Sequence, residues 1–145
     1  MQLTLYSDYS LRVLIYLALA PQRRVTIEEI ARSYDISKAH LTKVVHRLGL
    51  RGYVETLRGK GGGLRLARKP EEVRLGEVVR AMEENMALVE CFDPESSRCA
   101  IEPACGLRPV LEEALAAFRA VLDRYTLADL VARRRAPLAR LLEGP

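Results

Sequence analysis

The sequence predicts a mainly α-helical chain with one small β-hairpin. Three observations predict it. Residues 26–50 hold two capped helical patterns separated by a tight turn. Residues 53–66 read as a hairpin whose loop has four glycines in five residues, Gly59, Gly61, Gly62 and Gly63. Residues 110–125 carry an apolar stripe four turns long. Helix, turn, helix and hairpin in that order make a winged helix-turn-helix. The stripe adds a long dimerisation helix.

Each element follows from local chemistry. Over residues 6–20, Leu11, Leu14, Ile15 and Ala18 recur at helical spacing, and Pro21 follows. Thr26 and Glu29 form a capping box, with Val25 and Ile30 placed as its hydrophobic staple. That helix runs to about Ser33, and residues 34–36 make the turn. Ser37 caps a third helix with Ile36 and Leu41 as staple. Its buried stripe is Leu41, Val44, Val45 and Leu48, and Gly49 and Gly52 mark its end. Residues 53–57 and 64–66 are strand-like. Residues 75–86 form a further helix, with Val78, Val79, Met82 and Met86 on one side. Residues 88–106 contain Pro94 and Pro103 without a sustained period and read as a loop. A long helix starts at Pro109, with Val110, Leu111, Ala114, Leu115, Phe118, Val121, Leu122 and Tyr125 as its stripe. Thr126 and Asp129 open another capped segment.

These elements group into four regions. Residues 1–70 are the winged helix-turn-helix, 71–108 a connecting helix and cysteine loop, 109–132 the dimerisation helix, and 133–145 a basic tail expected to be frayed. No apolar run approaches a membrane span, and residues 13–20 lack the basic flank and cleavage site of a signal peptide. The expectation is a cytoplasmic protein with reduced cysteines.

The charge is unevenly spread. Net charge is +4, but residues 1–70 hold 13 Lys and Arg against 5 Asp and Glu, a balance of +8. The remaining residues hold 10 against 14, a balance of −4. The first half therefore suits a polyanion. The second helix of such a motif enters the major groove N-terminus first. Here that end offers Ser37, Lys38, His40 and Lys43 to phosphates and base edges. The hairpin adds Arg58, Lys60 and Arg65, with Arg58 or Lys60 suited to an A·T-rich minor groove. His40 is expected to be exposed. His46 falls some 240° further round the helix and is expected to be structural. The glycines do not form a nucleotide loop, because Lys60 is followed by Gly61 rather than Ser or Thr. Useful specificity calls for a homodimer on double-stranded operator DNA.

The chain has three cysteines, Cys91, Cys99 and Cys105, all in one loop. The odd count and the cytoplasmic setting disfavour disulfides. A zinc site would show a closely spaced cysteine pair, and none is present. Unpaired structural cysteines favour apolar surroundings, whereas these lie near Asp93, Glu95, Arg98 and Glu102. Irregularly spaced soft ligands on a wrapping loop suit an iron–sulfur cluster best. A fourth ligand is then needed, and composition leaves Asp8, Glu90, Asp93 and Glu102 open.

The stretches Tyr6-Ser7-Asp8-Tyr9-Ser10-Leu11-Arg12, Arg58-Gly59-Lys60-Gly61-Gly62-Gly63-Leu64-Arg65-Leu66, Leu88-Val89-Glu90-Cys91-Phe92 and Tyr125-Thr126-Leu127-Ala128-Asp129-Leu130, together with Cys99 and Cys105, resemble the NsrR family of nitric-oxide-sensing repressors. The resemblance extends to about Val131. The glycine-rich wing is shared with a wider group of winged-helix iron–sulfur regulators; the three cysteines combined with Asp8 are the discriminating feature. The resemblance implies a homodimeric repressor with Cys91, Cys99 and Cys105 as metal ligands and Asp8 of the second protomer as the fourth. It implies a 4Fe–4S cluster in preference to 2Fe–2S. The related IscR-like regulators use a histidine shortly after the last cysteine. Gly106, Leu107, Arg108 and Pro109 stand there instead, which disfavours an IscR-like role.

The implied mechanism is a repressor that holds its operator while the cluster is intact and releases it when nitric oxide attacks the iron. Two alternatives remain open. One is a winged-helix iron–sulfur regulator answering to redox or iron status. The other is an iron–sulfur electron carrier, which would not need the basic wing. Catalysis has little support, because both histidines fall on the recognition helix and no nucleophile–base pair is present.

Overall fold

The computed structural model describes residues 2–93, 95 and 97–143. Its elements in order are α1 (Leu5–Leu19), α2 (Ile27–Tyr34), α3 (Lys38–Leu50), β1 (Val54–Leu57), β2 (Gly63–Leu66), α4 (Leu75–Met82), α5 (Leu107–Arg124), α6 (Leu127–Ala132) and α7 (Arg135–Glu143). The strands form one antiparallel pair in which Val54 faces Leu66 and Leu57 faces Gly63. This is the predicted helical architecture with a small hairpin.

The core lies where α1, α2, α3, the wing and α4 meet. Val13, Leu14, Val25, Ile30, Leu41, Val44, Leu48, Leu64, Val73 and Val78 are all essentially inaccessible to solvent. Burying a side chain of this size contributes about 1.5–3 kcal/mol, so these residues dominate the stability of the winged helix-turn-helix. In α1 the inward face is Val13, Leu14, Leu17 and Ala18, together with the fully buried Ser7 and Ser10. Leu11 and Ile15, expected on that face, are only half-buried at its edge.

Local capping sets the helix-turn-helix. The Thr26 hydroxyl accepts from Glu29 N at 3.1 Å, and the Glu29 carboxylate accepts from Thr26 N at 3.4 Å. Such a cap is worth about 1 kcal/mol. Asp35 ends α2 in the left-handed region at φ 52°, a conformation that its short polar side chain tolerates. The buried face of α3 is Leu41, Val44, Val45 and Leu48, as predicted. The helix reverses at Gly52, φ 72°, where Tyr53 N donates to Leu48 O and Gly52 N to Gly49 O. That bond pair is a Schellman end, and it leaves Gly49 inside the helix instead of at its terminus.

Three predicted elements differ. The connecting helix stops at Met82, one turn before Met86. Glu83 turns extended, and its carboxylate accepts both Thr4 N at 2.9 Å and the Thr4 hydroxyl at 3.1 Å. The long helix begins at Leu107, ahead of Pro109, and its stripe divides. Leu115 is buried and Leu111, Phe118 and Leu122 are half-buried, whereas Val110, Val121 and Tyr125 stay exposed. The basic tail is not frayed: it forms α7. Arg135 donates to Ala18 O at 3.4 Å and Leu19 O at 2.9 Å, covering the orphan carbonyls at the end of α1. The Ser33 hydroxyl bonds Leu142 O at 2.8 Å. Among the described residues no helix is long and apolar enough to cross a membrane.

Candidate nucleic-acid interface and metal centre

Because α3 buries Leu41, Val44, Val45 and Leu48, its opposite face is fixed outward. Ser37, Lys38, Thr42, Lys43 and His46 are exposed there. The Ser37 oxygen accepts from His40 N at 3.5 Å, so it serves as the helix cap. Lys38 pairs with Glu28 of α2 at 2.6 Å, and this bond holds the Glu28 carboxyl below its ordinary range. The two histidines exchange their expected settings. His46 is exposed. His40 is half-buried against α1, its ring meeting Tyr9 edge-on at 5.2 Å and Tyr6 at 6.0 Å.

The wing projects beside this face. Arg58 and Lys60 are exposed at the tip. Arg65 lies opposite Glu55 in the strand register and pairs with it at 2.7 Å, which tempers its charge. Gly62 closes the tip by donating to Gly59 O at 2.9 Å. A side chain at Gly62 would collide with Leu57 O, at 2.3 Å from an added Cβ. Residue 62 therefore has to be glycine for the tip to close.

A chain of contacts runs from Asp8 to the start of α3. The Asp8 carboxylate accepts from Arg12 Nε at 3.0 Å and pairs with its terminal nitrogen at 2.8 Å. The Arg12 guanidinium lies over the Tyr9 ring at 5.7 Å and the Tyr34 ring at 5.9 Å. Tyr34 in turn donates its hydroxyl to Arg12 O at 3.2 Å, and burial pushes its phenol pKa up to about 12. Tyr9 is the ring that meets His40. Tyr9 and His40 are far apart along the chain, so no local sequence signal links Asp8 to the recognition helix.

The cysteine segment has two short 3₁₀ turns, Glu90–Phe92 and Glu102–Ala104. Pro94 lies outside the described residues, and Pro103 sits in the second turn. Cys91 is buried, Cys99 and Cys105 are half-buried, and all three thiols are free. Arg108 ties the loop to α5 by bonding Glu102 and, at 2.9 Å, Glu112. The Ser97 hydroxyl also bonds Glu102, so that carboxylate is committed within the loop. Asp93 accepts from Glu95 N at 3.1 Å, while Glu90 is exposed. The donor set fits an iron–sulfur cluster in its chemistry: three free soft thiols share one loop. The arrangement is open, however. Among the described residues no three His, Cys, Asp or Glu side chains are gathered closely enough to hold a metal ion.

A sequence profile described as "Rrf2: Iron-dependent Transcriptional regulator" matches residues 3–133. The chain belongs to the Rrf2 family. It is similar to the HTH-type transcriptional regulator NsrR of Bacillus subtilis (strain 168), 54% identical over 144 residues that cover 99% of this chain and 98% of the relative. It is also similar to the regulator of the same name from Geobacillus kaustophilus (strain HTA426), 51% identical and covering 99% and 97%. Among solved Rrf2-like structures, CymR, the global cysteine regulator of B. subtilis, aligns with a TM-score of 0.74 and 25% identity over 92% of this chain and 98% of that one. T. potens IscR aligns at TM-score 0.74 and 23% identity, covering 92% and 88%, and shares the fold. This Rrf2 protein is thus a DNA-binding winged-helix transcriptional regulator and not an enzyme.

Proposed function

We propose that the protein is a cytoplasmic, homodimeric repressor that holds operator DNA while an iron–sulfur cluster is bound and releases it on nitric oxide exposure. The observation that carries this reading is the set of three free cysteines on one loop, in a chain 54% identical to NsrR. Cys91, Cys99 and Cys105 would supply three ligands and Asp8 of a second protomer the fourth. A bound 4Fe–4S cluster, preferred over 2Fe–2S for its carboxylate ligand, would supply a nitric-oxide-reactive iron centre joining the two protomers.

The chain's own residues offer the route from that ligand set to DNA. Asp8 holds Arg12, Arg12 packs between Tyr9 and Tyr34, and Tyr9 rests on His40 at the first turn of α3. Withdrawing or returning the Asp8 carboxylate changes the charge facing Arg12. Beyond Arg12 the relay meets the helix-turn-helix twice, at Tyr34 of α2 and, through Tyr9, at His40 of α3, so a change at Asp8 biases the setting of α3. Ser37, Lys38 and Lys43 would then meet the major groove, with Arg58, Lys60 and Arg65 of the wing on the flanking duplex, while His40, turned toward Tyr9 and Tyr6, would set the helix from its inner side. The exposed Val110, Val121 and Tyr125 of α5 suit a face shared by two copies.

The family description, iron-dependent, favours iron status as a second signal. Oxygen-free purification with iron and sulfide counts per protomer tests the cluster. Four of each are expected, and a preparation that holds no iron would overturn the reading. Operator binding measured against nitric oxide and against an iron chelator separates the two signals.

A further inference from the structure

The wing tip has little of its own to hold it. Gly59 and Gly61 take left-handed backbone angles of 91° and 76°, and an added Cβ at either would meet nothing within 4 Å. A loop of this kind is entropically loose. Yet Arg58 and Lys60 must stand at a fixed distance from α3 if both elements are to read one duplex.

The structure supplies a strap from a segment that precedes α2. Val25 pairs with Leu64 in a single antiparallel bridge at the edge of β2: Val25 N donates to Leu64 O at 3.0 Å and Leu64 N to Val25 O at 2.7 Å. The chains pass so closely that a Cβ at Gly63 would lie 3.0 Å from Arg24 Cβ and from Val25 O. From this seam the Arg24 guanidinium reaches along the wing and donates to Gly61 O at 2.7 Å. Among the described residues this is the one side-chain hydrogen bond made to the tip. We infer that Arg24 is a positioning residue for DNA binding: it fixes the wing tip, and with it Arg58 and Lys60, relative to the recognition helix. The inference rests on the DNA-binding role of the chain.

A direct phosphate contact by Arg24 is the competing account, and a double-mutant cycle separates the two. The probe is the duplex that the anaerobically isolated wild-type protein retains from a random-sequence pool. Affinity and its salt slope are measured for wild type, Arg24→Met, the wing variant Arg58→Met/Lys60→Met, and the triple variant. Arg24→Met is expected to weaken binding about tenfold, the scale of one hydrogen bond from a charged donor. In the wing variant, where the tip carries no cations, Arg24→Met is expected to cost nothing further in affinity or in salt slope. Arg24→Lys, which keeps a long charged donor, is expected to restore most of the loss. Additive losses, with the slope falling by about one further unit, would mean that Arg24 touches phosphate itself and would overturn the inference. So would an Arg24→Met protein that binds like wild type, or one with a markedly lowered unfolding midpoint. If the wild-type protein retains no duplex, the DNA-binding role fails first and the inference falls with it.

Discussion

The winged helix-turn-helix and the cysteine loop are built to different standards. In residues 25–66 each element is fixed by buried side chains or by a named cap: Thr26 on α2, the Gly52 reversal after α3, and Val25 against Leu64. Among the described residues of 88–106 there are two single-turn 3₁₀ segments, one buried thiol, and a few bonds centred on Glu102 and Arg108. The first region is preorganised for a rigid, repetitive ligand. Among the described residues the second gathers no metal-sized group of donors, the arrangement that a segment shaped by its ligand would show.

The sharpest way to break this contrast is to exchange core damage between the two regions. Leu41→Ala, at a fully buried position in α3, should cost about 2–5 kcal/mol and lower the unfolding midpoint by many degrees. Cys99→Ala, in the half-buried loop, should leave the midpoint of the metal-free protein nearly unchanged while abolishing regulated DNA binding. Thermal unfolding followed by circular dichroism checks both. Equal destabilisation by the two changes would erase the distinction.

A smaller effect probes the join between the regions. Asp8→Ala should weaken iron retention less than either Cys91→Ala or Cys99→Ala, since three thiolates remain. It should also disturb the Arg12–Tyr9–His40 contacts and so alter DNA affinity even without iron. Iron content and operator affinity of the variants decide the ordering. Loss of iron in Asp8→Ala equal to that in the cysteine variants would contradict it.

The smallest effect concerns pH. Glu29 is held below its ordinary pKa, first by the hydrogen bond from Arg23 and further by the cap on Thr26. A carboxyl with a depressed folded pKa adds stability above its unfolded value, and that stability is lost as pH falls through the folded one. Glu29→Gln should therefore flatten the acid limb of the stability curve by lowering stability modestly at neutral pH, with little change in acid, where the wild-type carboxyl is itself protonated. Denaturant unfolding across the carboxylate range measures it, and an unaltered limb would show that the Arg23–Glu29 pair contributes nothing.

Elements specified by neighbouring residues were legible in the sequence. Thr26 and Glu29 are three residues apart, and so are Thr126 and Asp129, and both boxes form. The four buried residues of α3 obey its helical period. Features created by distant partners were not legible. Glu83 ends α4 early because Thr4, 79 residues away, draws its carboxylate. The tail becomes α7 because Arg135 finds the open carbonyls at the end of α1. His40 turns toward α1 because two tyrosines wait there. Arg24 and Gly61 meet only once the hairpin has folded back on Val25. Of the candidate site, the residue types were legible, but the contacts linking Asp8 to α3 were not.

The most direct measurement is a stepwise addition of nitric oxide to the iron-loaded protein already bound to its operator, followed by fluorescence anisotropy of the DNA and by the visible absorbance of the same sample. The account predicts that anisotropy falls in step with the loss of the cluster's absorbance, and that the Cys99→Ala protein gives no such response. Absorbance that bleaches while the complex stays intact would contradict it.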